Sequence, residues 1–102
     1  MYSENQIYVS PSFIELHKHP ITGKLQATRP WLQARYELCE DFAQLLAQQT
    51  QQKMFELQIT QADALERVDR GLYVKPSPLD LAENEIEWIR LRIQELLQHA
   101  SF

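Results

Sequence analysis

Apolar residues recur at helical spacing along most of the chain, and the longest such stretch runs from Thr28 to Leu57. Leu32, Tyr36, Leu38, Cys39, Phe42, Ala43, Leu45 and Leu46 fall within about half of a helical wheel, a face wider than one neighbour can cover. This pattern predicts a spine helix, capped by Thr28, with Pro30 in the first turn where a missing N–H costs little. Thr60 followed by Asp63 resembles a capping box and opens a shorter helix that Gly71 stops. Leu65, Val68 and Leu72 form its expected buried side, with Asp63–Arg67 and Glu66–Arg70 as i,i+4 pairs on its surface. A third helix starts near Asp80 or Ala82, where Ile86, Ile89, Ile93, Leu96, Leu97 and Ala100 share one face. Acids gather at its front (Glu83, Glu85, Glu87) and Arg90, Arg92 and His99 follow, which suits the helix dipole.

Ahead of the spine, Ile7-Tyr8-Val9 reads as an extended arm. Ser10-Pro11 then pairs an N-cap with a proline at the first helical position, and one or two turns follow through Leu16. His19-Pro20 and Thr22-Gly23 end them, Gly23 suiting a turn with positive φ. Between the last two helices, Leu72 to Asp80 contains Pro76 and Pro78 and reads as an extended surface connector. The expected architecture is all-α: a small three-helix bundle with an N-terminal arm and a short N-terminal helical turn. It forms one domain over 1–102, divided as 1–27, 28–57, 60–71 and 80–100.

Composition narrows the function classes. Two glycines in 102 residues argue against a turn-rich β architecture and against a phosphate-cradling loop. A net charge of −4 disfavours a nucleic-acid partner, because an acidic surface repels phosphate. Cys39 is the single cysteine, so no internal disulfide forms; on the apolar stripe it reads as a buried, inert thiol in a reducing compartment. Met1 to Gln6 lack the features of a signal peptide and no apolar run is long enough to span a bilayer. The expected location is therefore cytoplasmic. His17, His19 and His99 read as surface histidines and Glu37, Glu40 and Asp41 as a solvated acidic face, so neither a metal nor a cofactor is expected.

Function is sought where the pattern fails. Trp88 and Leu91 project away from the Ile86/Ile89/Ile93 face, which marks them, with Leu81, as candidates for contact with a protein partner or a second copy. The alternative is that Tyr8 or Phe13 of the N-terminal segment folds over them. Under the contact reading, Trp88→Ala leaves the fold intact and weakens association. Arg35 lies on the apolar stripe of the spine, in place either to pair with an acid such as Glu15 or to meet an anion.

Ser12-Phe13-Ile14-Glu15-Leu16-His17, then Ala34-Arg35-Tyr36-Glu37-Leu38-Cys39-Glu40-Asp41, then Trp88 resemble small, uncharacterised proteobacterial proteins, some of which carry the name "ATPase with chaperone activity". The resemblance implies a bacterial cytosolic protein with a chaperone-associated role. A phosphate loop and a Walker-type acid after a strand are both missing from this chain. The function expected is a non-enzymatic interaction module, a small adaptor or regulator. The alternatives are a helical nucleic-acid binder and a nucleotide-binding accessory protein.

Overall fold

The computed structural model describes residues 9–74 and 79–99. Expectations for Met1–Gln6, for Ile7 and Tyr8 of the arm, and for Pro76, Pro78 and Ala100 lie outside that range. Within it the chain is all-α, with helices α1 (Pro11–Leu16), α2 (Arg29–Leu57), α3 (Gln61–Leu72) and α4 (Glu83–His99). No strand forms among the described residues; a single antiparallel bridge joins Lys18 to Leu25.

The helix starts follow the local chemistry. Thr28 and Thr60 stand in extended conformations, and their side chains accept from the Trp31 and Asp63 N–H groups respectively. Ser10 caps α1 through its carbonyl, which accepts from Phe13 and Ile14, while its hydroxyl lies 2.9 Å from that of Ser12. At α4 the cap is reversed. Ala82 offers no side-chain acceptor, and Glu85, three residues on, reaches back to accept from the Ala82 N–H at 3.1 Å. Gln58 ends α2 in the left-handed conformation with φ 53°. Gly71 does not stop α3, which continues through Leu72 to a cap at Tyr73. Gly23 does take positive φ, 72°, in the turn after α1. The Gly23 N–H donates to the His19 carbonyl, while His19 Nδ1 accepts from the Ile21 and Thr22 N–H groups.

Cross-helix pairs fix the directions. Arg35 meets Glu85 and Glu40 meets Arg92, so α2 and α4 run parallel. The intervening α3 doubles back along the C-terminal half of α2. Ser12 meets Trp88 and Leu16 meets Asn84, so α1 lies antiparallel on the start of α4. The core gathers Phe13, Leu32, Cys39, Ala43, Leu72 and Trp88 around Ile86, Ile89, Ile93 and Leu97. After Leu32 the buried positions on α2 are small, and Cys39, Ala43 and Ala47 let bulky α4 residues approach the spine closely. Thr50 satisfies its hydroxyl by donating to the Leu46 carbonyl one turn back.

Candidate functional site

Three of the four residues singled out in the sequence belong to one end of the bundle, and there they are structural. Trp88 is 7% exposed and Leu81 8%, whereas Leu91 is 53% exposed. The outward reading of Trp88 is thus corrected, that of Leu91 stands, and Leu81, named with them as a contact candidate, is buried. Helix α4 is covered on two sides, by α2 on its isoleucine face and by α1 on the face that carries Trp88. Phe13 packs edge-on against the indole at 5.2 Å, Tyr36 does so at 5.8 Å, and the indole N–H donates to Ser12 Oγ at 2.8 Å. Such edge-to-face pairs contribute about 0.5–1.5 kcal/mol each beyond area burial. Of the two covering residues considered, Phe13 is the one described, and it is fully buried.

Arg35 pairs with Glu85 rather than Glu15, which lies within 2.7 Å of Lys18 instead. The guanidinium grips the carboxylate through two atoms, Nε to Oε2 at 2.8 Å and Nη2 to Oε1 at 2.7 Å. Nη2 also donates to the carbonyl of Asp80, a residue held at φ 53°. The Glu85 side chain is 2% exposed, and its acceptor sites are filled by Arg35 and the Ala82 N–H. Burial alone raises the Glu85 pKa, but the Arg35 and Ala82 hydrogen bonds and the Arg35 and His17 charges outweigh it and hold the carboxyl below its ordinary range. The hydrogen bonds that Arg35 donates to Glu85 raise its pKa above the usual value, against the smaller effect of burial.

His17 closes the assembly. Its ring stands between Phe13 at 5.2 Å and Trp31 at 5.1 Å, and its Nε2 lies 3.6 Å from Glu85, buried without a hydrogen-bond partner. It is therefore a packed residue and not the surface histidine expected. A shallow opening of about 480 Å³ bounded by His17, Trp31, Arg35 and Asp80 exposes the edge of this cluster.

Two further ion pairs went unread in the sequence. Glu40 belongs to no solvated face: Arg92 holds it through Nε at 2.9 and 3.2 Å and through Nη2 at 2.9 Å, while Gln44 donates at 2.7 Å. Burial raises the Glu40 pKa, yet the Arg92 and Gln44 hydrogen bonds and the Arg92 charge bring it below the usual range. Arg90 Nε donates to both oxygens of Asp69 at 2.9 Å, tying α4 to α3. Cys39 behaves as expected: it is fully buried, and desolvation followed by the Glu85 charge pushes its thiol up to about 12. Among the described residues no group of three or more His, Cys, Asp or Glu is placed to hold a metal.

The opposite end of the spine holds the most apolar of the concave features described. Between the C-terminal half of α2 and the antiparallel α3 runs an apolar groove of about 410 Å³. Phe42, Leu46 and Leu57 form one wall and Ala64, Val68 and Leu72 the other. Lys53 and Arg67 stand at its rim, and no acidic residue lines it. The wide apolar face read from the sequence thus has one side in the core and another, through Phe42 and Leu46, in this groove. Leu38 and Leu45, on the same face, remain 37% and 49% exposed.

Among the described residues no helix is long and apolar enough to cross a membrane. No family model, curated protein or solved structure matches the chain.

Proposed function

We propose that the protein is a non-enzymatic interaction module, a small adaptor or regulator, and that its contact surface is the α2–α3 groove rather than the Trp88 face. The observation that carries this reading is the groove itself, about 410 Å³ of apolar concavity open along the spine of a small protein. Apolar surface of this kind favours a partner that brings its own apolar side chains, because burying both removes them from water. Three arginine–carboxylate pairs elsewhere in the bundle are engaged with one another: Arg35 with Glu85, Glu40 with Arg92, Asp69 with Arg90. Paired in this way, these six side chains hold helices in register.

The test is site-directed photocrosslinking in cells that produce the protein. A benzophenone amino acid replaces Gln49, an exposed residue on the groove, or Glu87, an exposed residue on α4. The expected result is one defined protein adduct from position 49, lost on adding Val68→Glu, and none from position 87. Absence of an adduct at position 49, or the same adducts from both positions, overturns the reading.

A further inference from the structure

Resting on the reading of the groove as the contact surface, we infer that its occupant is an acidic amphipathic helix of a partner protein. Three observations lead there. The first is shape. The α2 wall is a single stripe, Phe42, Leu46, Gln49, Lys53 and Leu57, at helical spacing over four turns. At 1.5 Å per residue it runs for about 22 Å. A volume of about 410 Å³ spread over that length is a shallow trough, suited to a row of side chains from an elongated element. Helical partners dock in such grooves through apolar anchors at i, i+3 or i+4, and i+7.

The second observation is charge. The chain carries 14 acidic and 10 basic residues, yet the charged residues that line the groove are both cations, Lys53 on α2 and Arg67 on α3. Lys53 Nζ lies 4.0 Å from Glu56, and its side chain is 59% exposed. The two cations stand on opposite walls, so a helix seated between them meets positive charge along both flanks. Acidic residues on either side of an apolar stripe complement that arrangement, and basic ones are repelled by it.

The third observation is that the walls present little polar competition. Thr50, at the floor, already spends its hydroxyl on the Leu46 carbonyl, and Gly71 leaves open space where a Cβ stands in other residues. The groove therefore selects by apolar fit in its centre and by charge at its edges.

The experiment pans a displayed library of helical peptides, about 15 residues long, against the immobilised full chain and its Lys53→Glu/Arg67→Glu variant. Both substitutions are at exposed positions, and circular dichroism verifies that the variant folds. The expected outcome is enrichment of peptides with an apolar i, i+3/i+4, i+7 stripe flanked by Asp and Glu. These peptides bind the variant at least about tenfold more weakly, and the variant itself enriches basic flanks. Neutral or basic peptides enriched on the natural chain, or affinity indifferent to the charge reversal, overturn the inference while leaving the crosslinking result from position 49 standing. Peptides that fail while decanoate binds saturably in the groove also overturn it, and assign the groove to a small amphiphile. A position-49 adduct of twice the 12.1 kDa chain mass overturns it in favour of a second copy.

Discussion

The two ends of α2 are built from different materials. Around its first half, large aromatic and charged side chains converge from α1 and α4: Phe13, Tyr36 and Trp88 edge to face, Arg35 on Glu85, Arg92 on Glu40. Around its second half, most of the side chains shared with α3 are smaller or half-buried: Thr50 and Ala64 buried, Leu46 and Val68 partly open, with Leu72 the one large residue fully buried there. The first end pairs its arginines with its buried carboxylates and packs its aromatic rings on one another, leaving His17 Nε2 buried without a hydrogen-bond partner beside a shallow opening. The second leaves an open trough because Thr50, Ala64 and Gly71 are too short to fill it. Under the proposed function, stability and recognition are separated along one helix, and each can be perturbed with little effect on the other.

The sharpest way to break that separation is at Trp88. Trp88→Ala removes the indole from contact with Phe13 and Tyr36 and leaves Ser12 without its donor, which is expected to destabilise the fold by about 3–5 kcal/mol. Urea unfolding followed by circular dichroism measures it. A loss below about 1 kcal/mol with partner capture abolished would return Trp88 to the surface role that its wheel position suggested. Arg35→Met comes next. It strands a nearly fully buried carboxylate, and removing one member of such a pair costs about 3 kcal/mol or more. The double variant Arg35→Met/Glu85→Leu is expected to recover much of that loss, because no unpaired charge remains. If the double variant is no more stable than Arg35→Met alone, the cost lies in packing around the guanidinium stem rather than in the charge.

Acid sharpens the same contrast with a smaller effect. Glu85 and Glu40 both sit below their ordinary pKa of 4.5 in the folded chain. A carboxyl lowered on folding contributes stability that is fully present above its unfolded value, and that stability is lost as pH falls through the folded value. The urea midpoint is therefore expected to hold near neutrality and to drop as pH goes below about 4.5. In Arg35→Met/Glu85→Leu the Glu85 share of that drop disappears and the Glu40 share remains. A midpoint that follows the same acid profile in the natural chain and the double variant would show that Glu85 is not the group responsible.

The helices were legible in the sequence because their causes are local. Thr28 and Thr60 cap, Gly23 turns, and the isoleucine face of α4 repeats at helical spacing, so four elements could be placed with ends a few residues off. Gly71 misled because its helix carries on for one more residue, where Leu72 is buried in the core. The ion pairs were illegible for a different reason. Glu85 looks like any acid at a helix front and Glu40 like any acid on an outer face, and what buries them is a partner about 50 residues away. The outward reading of Trp88 failed in the same way, whereas its alternative, cover by Phe13, is what the structure shows. A helical wheel has one inside, and α4 has two because α1, only six residues long, folds back onto it. The groove was half legible: the spine's apolar face is too wide for one neighbour, but the sequence does not say which part stays open.

The smallest effect tests the open end directly. Gly71 lies inside the last turn of α3, has no positive φ, and a Cβ built on it meets nothing within 4 Å. Glycine in a helix loses more backbone freedom on folding than alanine, so Gly71→Ala is expected to stabilise the protein by about 0.5 kcal/mol, less than the full interior value because the position is near the helix end. Thermal unfolding measures this as a rise of about 2–4 °C. The sign is the informative part. In a filled core an added methyl strains its neighbours and destabilises, so a lower melting temperature would mean that α3 packs more tightly on α2 than the groove implies. A rise places open space beside Gly71, on the wall of the trough where a partner helix is proposed to lie.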